Sequence, residues 1–100
     1  MMQKNLNTKD KKNKIFKLAW KKWGETLQIA ITIEELSELA TALSRILRGR
    51  YKPWDDAVIT EIADAYIVLD SYVSQYNLDG LVNVEINKKL ERLKARVEGE

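Results

Sequence analysis

Thr32-Ile33-Glu34-Glu35-Leu36-Ser37-Glu38-Leu39-Ala40-Thr41-Ala42-Leu43, near the middle of a 100-residue chain, sets three acids among apolar neighbours. Through and around it, Ile29, Ile33, Leu36, Ala40, Leu43 and Leu47 recur at alternating four- and three-residue steps, the rhythm of one buried helix face. The spacing predicts a helix from about Thr26 to Arg48, stopped by Gly49. Upstream, Ile15, Phe16, Leu18, Ala19, Trp20 and Trp23 follow the same periodicity and predict a first helix from Lys11 to Trp23, ending near Gly24. Downstream, beyond the link Gly49-Arg50-Tyr51-Lys52-Pro53-Trp54, a third helix is expected from Asp55 or Asp56, where acids can cap the positive end, to about Tyr76. Asn77-Leu78-Asp79-Gly80 reads as a turn. A fourth helix from about Leu81 to Val97 carries Val82, Ile86, Leu90, Leu93 and Val97 on one stripe. No strand-like alternation interrupts this pattern, so the fold class is all-α.

The third helix is apolar on most of its sides, with Val58, Ile62, Leu69 and Val73 on one, Ala57, Ala65 and Val68 on another, and Tyr66 further round. A helix of that kind must be covered on most sides, which four helices of one chain can hardly do. The expectation is a four-helix bundle completed by oligomerisation, a homo-oligomer of two or four chains in which the second and third helices share a bundle.

Composition narrows the chemistry. The chain is 45% hydrophobic and 32% charged, too apolar for disorder, and its longest apolar run, Ala65 to Leu69, is far too short to cross a membrane. It holds neither Cys nor His, which excludes disulfides, thiolate zinc sites, thiol nucleophiles and imidazole bases. Carboxylates, hydroxyls, amides, Lys and Arg remain. The formal charge of +2 conceals an asymmetry: residues 1–22 carry +7 and residues 23–100 carry −5. The Lys-rich start has no Arg, no Ser and no secretory apolar segment, so residues 1–10 are read as a solvated tail and residues 11–100 as one domain of a cytoplasmic protein.

Glu34, Glu35 and Glu38 in the second helix, with Glu61 and Asp64 in the third, are the acids a bland bundle would not choose. Glu38 lies about 60° around the axis from Glu35 and one turn along it, and Glu61 and Asp64 repeat that relation. Two such jaws on neighbouring helices can face each other. Carboxylates so gathered repel and lose hydration, and they persist only with a compensating cation. An all-oxygen donor set favours Mg²⁺, with Mn²⁺ as substitute, over zinc or copper. Di-iron bundles that pair acids with Glu-x-x-His motifs are excluded by the lack of His.

Glu34-Glu35-Leu36-Ser37-Glu38-Leu39 followed by Glu61-Ile62-Ala63-Asp64 resembles the EExxE and ExxD signature of the MazG-like, all-α nucleoside triphosphate pyrophosphohydrolases. Trp23-Gly24 with Gln28, and Lys89-Leu90-Glu91-Arg92-Leu93-Lys94-Ala95-Arg96, resemble the flanking blocks of small phage or mobile-element members, so the likeness covers roughly residues 20–97. It implies Mg²⁺-dependent hydrolysis of a ribo- or deoxyribonucleoside triphosphate to the monophosphate and pyrophosphate, with house-cleaning of the nucleotide pool as a role. By the same likeness Glu35, Glu38, Glu61 and Asp64 are metal ligands, and Glu34 either orients or deprotonates the water or stands behind the ligands.

Lys89, Arg92 and Arg96 project within about 60° of one another beside the apolar stripe of the fourth helix, where they could reach a pyrophosphate group. Members of the family it resembles often carry Asn where this chain has Leu93, which fits the core stripe instead. Gln28, two turns before Glu35, and Trp23 are the candidates for base or sugar contact, with Trp20, Trp54 and Tyr51 as further stacking surfaces. The competing reading is a non-enzymatic helical module whose basic N-terminus binds nucleic acid or a partner protein. The net-acidic body and the lack of a recognition-helix motif count against nucleic acid.

Overall fold

In the computed structural model, residues 8–99 are described. They form four α-helices and, among the described residues, no strand: α1 (Thr8–Trp23), α2 (Glu25–Leu47), α3 (Asp56–Gln75) and α4 (Asp79–Gly99). The all-α class is as expected. The first helix begins earlier than Lys11 and takes in Thr8, Lys9 and Asp10 of the expected tail; residues 1–7 of that tail lie outside the described residues.

Helix ends fall where the backbone can turn at low cost. α1 passes into α2 through Gly24 alone, whose φ of 83° suits a residue without a Cβ. α2 ends in a Schellman arrangement: the Arg50 N–H donates to the Arg45 carbonyl and the Gly49 N–H to Ile46, with Gly49 at φ 77°. α3 ends in the same way on Asn77 at φ 53°, with Leu78 N–H donating to Val73 and Asn77 N–H to Ser74. The chain then re-enters helix at Asp79, so Gly80 sits in the first turn of α4 rather than in the expected four-residue turn. Asp55 precedes α3 without capping it, because its carboxylate instead accepts the Lys52 N–H at 2.9 Å and holds the link.

α2 and α3 pack as a hairpin through small residues, with Ala42, Val58 and Ala65 almost wholly buried. α1 lies mainly on α3. Its anchor is Trp20, whose Nε1–H donates to the Ser71 hydroxyl at 2.8 Å and whose ring meets Tyr72 and Tyr76 edge-on. Phe16 is buried beside this cluster's helix, Lys12 pairs with Asp70, and the Ser74 hydroxyl donates to Asn13. Tyr76 donates to the Glu25 carboxylate, and that bond, followed by burial, pushes its phenol up to about 12. Trp20 is therefore a core anchor and not a stacking surface.

Two predicted core stripes are not core within the chain. On α2 the covered residues include Gln28, Ile29, Ile31, Glu35, Leu39, Ala42 and Ile46, whereas Ile33, Leu43 and Leu47 are 62%, 46% and 91% exposed. The apolar arc of α2 is wider than one partner can cover, and the narrower side that includes Glu35 and Ala42 permits the closest approach to α3. α4 has no buried residue and builds no packed interface with the other helices; Val82, Ile86, Leu90, Leu93 and Val97 all stand in solvent. The radius of gyration is accordingly 17.3 Å, against about 13 Å for a compact chain of this length. Three helices pack, and the fourth projects.

Candidate functional site

The hairpin brings all five predicted acids together. One carboxylate oxygen each from Glu34, Glu35 and Glu38 lies within 4.8 Å of the others, and the same holds for Glu35, Glu61 and Asp64. Glu35 belongs to both groups and joins them. It stands on the α3-facing side of α2, half-buried, as does Glu61 on α3, while Glu34 and Glu38 are exposed. Helical spacing supplies the rest, since Glu38 sits one turn beyond Glu34 and Glu35, and Asp64 one turn beyond Glu61.

This proximity is electrostatically costly. Burial, then the charges of Glu38, Asp64, Glu61 and Glu34, hold the Glu35 carboxyl above the ordinary carboxylate range. Glu38 is raised by burial first, then by Glu61, Glu34 and Asp64, and by a hydrogen bond with Glu61. Among the described residues no Lys or Arg pairs with any of the five, while Lys12 pairs with Asp70 and Lys88 with Glu85 elsewhere. The Oε2 atoms of Glu35 and Glu61 are buried without a hydrogen-bond partner. Two buried acceptors without donors, in a set made only of oxygens, fit a hard divalent cation.

Beside the carboxylates runs a cleft of about 320 Å³. Its lining on α2 runs from Glu34 and Glu38 through Ser37, Thr41 and Ala42 to Arg45, and Ala57 and Glu61 of α3 with Tyr51 of the link complete it. Arg45 Nη1 donates to the Tyr51 hydroxyl at 3.3 Å, and its guanidinium lies 5.7 Å from the centre of the Tyr51 ring. Arg45 carries no apolar or motif signal, and only its position, seven residues after Glu38, marks it in the sequence.

The other predicted contacts lie away from this cleft. Lys89, Arg92 and Arg96 are exposed on the projecting α4, and none lines it. Trp23 is half-exposed at the end of α1 with Lys22 over its ring, Gln28 is half-buried further back on α2, and Trp54 stands largely in solvent in the α2–α3 link. The lysines of α1 other than Lys12 are exposed. No described helix is long and apolar enough to cross a membrane. No family model, no curated protein and no solved structure matches the chain.

Proposed function

We propose that this protein is a Mg²⁺-dependent nucleoside triphosphate pyrophosphohydrolase that works as a homo-oligomer. The observation that carries the reading is the convergence of five carboxylates from two helices, two of them burying oxygens without partners. The MazG-like motif on those same residues supplies the reaction class. Glu35, Glu38, Glu61 and Asp64 would hold the ion, and Mn²⁺ would replace Mg²⁺ with the same donors. When bound, the cation neutralises polyphosphate charge and makes water more acidic. The chain's own part is positioning and proton handling. Helical spacing fixes the carboxylates on two rigid elements, and exposed Glu34, at the cleft, can accept a proton from the attacking water or orient it. Water adds across the α–β anhydride, releasing nucleoside monophosphate and pyrophosphate, and the cleft beside the acids leaves room for the substrate.

Assembly into an oligomer is supported by what the single chain leaves uncovered. Its accessible surface is 8548 Å², against roughly 5,800 Å² for a compact protein of this mass. The excess exceeds the roughly 800 Å² per partner of a standard interface. Apolar residues stand exposed on α2, α3 and α4, among them Ile33 and Leu43, Ile59 and Ile67, Leu90 and Leu93. A second copy laid on these residues would cover them. A phosphate role for Lys89, Arg92 and Arg96 then requires them to meet the cleft of another copy, because their own lies out of contact. The test is release of pyrophosphate from a panel of ribo- and deoxyribonucleoside triphosphates with Mg²⁺ and with EDTA, resolving monophosphate from diphosphate. Metal-dependent monophosphate formation supports the reading, and no turnover of any nucleotide by the folded protein rejects it.

A further inference from the structure

We infer that Arg45, beside Tyr51, is the base-reading element of the cleft and favours guanine and cytosine nucleotides, whose bases present two adjacent acceptors. This rests on the proposed nucleotide chemistry at the carboxylate end of the same cleft. The lining residues of α2, from Glu34 and Glu38 through Thr41 to Arg45, follow one face of the helix, so the cleft runs along the helix axis. Arg45 lies seven residues beyond Glu38, about 10 Å along that axis. A polyphosphate held at the acids would thus lay its nucleoside along the middle of the cleft and its base at the far end.

That far end is built for a base rather than a phosphate. Arg45 is the one cation lining the cleft, whereas a phosphate with no other neutralising group there calls for several. Its surroundings are Ala42, Ala57 and the ring of Tyr51, a small apolar floor beside a flat π surface. One guanidinium N–H donates to the Tyr51 hydroxyl at 3.3 Å, and the other donors make no hydrogen bond among the described residues, so they are open to a ligand in the cleft. A planar fork that only donates matches two adjacent acceptors; guanine presents them as O6 and N7, and cytosine, unpaired in a free nucleotide, as O2 and N3. Adenine sets N7 beside an amino group and uracil parts its two carbonyls by an N–H, neither of which the fork can satisfy. Between the two ends, Ser37 and Thr41 line the cleft and donate their hydroxyl protons to the carbonyls of Ile33 and Ser37, which leaves their oxygens as acceptors for a sugar hydroxyl.

The decisive comparison is Arg45→Met and Arg45→Lys against the wild-type chain, with GTP, ATP, CTP, UTP and inorganic tripolyphosphate as substrates. The wild type is expected to favour GTP and CTP over ATP and UTP in kcat/KM. Arg45→Met should lower the GTP and CTP values about tenfold or more, mainly through KM, and remove the preference, with smaller changes for ATP and UTP. Arg45→Lys, which keeps the charge and loses the fork, should behave like Arg45→Met. An equal loss for all bases and for tripolyphosphate, or rescue by Lys, overturns base reading. Calorimetric titration of GMP and AMP into the full chain with Mg²⁺ separates this inference from the parent reading, because it needs no turnover. Tighter GMP binding that Arg45→Met abolishes supports the clamp even if no triphosphate is hydrolysed, and indistinguishable GMP and AMP binding overturns it.

Discussion

Glu35 on α2 and Glu61 on α3 each bury one carboxylate oxygen, Oε2 in both, that accepts no hydrogen bond. Two facing acids with unsatisfied buried acceptors destabilise the helix pair that presents them unless a cation joins the set. The hairpin spends packing energy at Ala42, Val58 and Ala65 to hold them there.

Removing negative charge from this set should therefore separate folding from activity. The double variant Glu38→Gln with Asp64→Asn is expected to lose metal-dependent turnover by at least about a hundredfold, as removal of essential ligands does. Its metal-free form should melt at or above the wild-type temperature. Circular dichroism melts beside a pyrophosphate assay check both, and retained turnover would remove these acids from the chemistry.

The pH dependence follows from the sign of the shifts. Glu35 and Glu38 are raised above 4.5, so the fold binds protons more tightly than the unfolded chain does. Their contribution to stability is complete below the ordinary carboxylate range and is lost as pH rises through the raised values. The metal-free protein should thus lose thermal stability on this account between the ordinary range and the raised values. Glu35→Gln should flatten that slope. Mg²⁺ should restore stability above the raised values and release protons on binding, which calorimetry in buffers of different ionisation enthalpy reads directly.

Ser71 accepts the buried indole N–H of Trp20. Ser71→Ala leaves that donor without a partner and should cost about 1–3 kcal/mol, while Trp20→Ala should cost about 3–5 kcal/mol by emptying the α1–α3 contact. Urea unfolding of the two variants gives both numbers. A near-zero cost for Ser71→Ala would mean that water replaces the hydroxyl.

Leu90 and Leu93 stand 56% and 51% exposed on α4. If a second copy covers them, Leu90→Asp with Leu93→Asp will shift the protein toward monomer in light scattering and lower its helical content, since α4 has no other packing partner. A wild-type monomer at high micromolar concentration would count against assembly through this helix.

Gly49 closes α2 at φ 77°, with open space where a Cβ would stand. Gly49→Ala should therefore cost about 1–2 kcal/mol from backbone conformation alone. Because the same turn leads to Tyr51, that variant should also raise KM for a nucleotide whose base lies against Arg45.

The all-α class, the number of helices and most helix ends were legible in the sequence because they depend on near-neighbour chemistry: three- and four-residue apolar spacing, Gly at 24 and 49, and one Asn that tolerates φ 53° at 77. The acid motif was legible for the same reason, since one turn of helix places Glu38 near Glu35 and Asp64 near Glu61. Which face of α2 meets α3 was not. Its apolar arc is wide enough for two partners, and close approach through Ala42 and Ala65 selected the side bearing Glu35 over the more apolar row of Ile33 and Leu43. Nor could periodicity show that α4 leaves its own bundle, because an apolar stripe reads alike whether its cover is in the same chain or another. Arg45 became a candidate only when the α2–α3 turn brought Tyr51 back beside it. Local order follows from bonding and sterics a few residues apart, whereas the choice of packed face and the meeting of distant side chains follow from how whole surfaces fit.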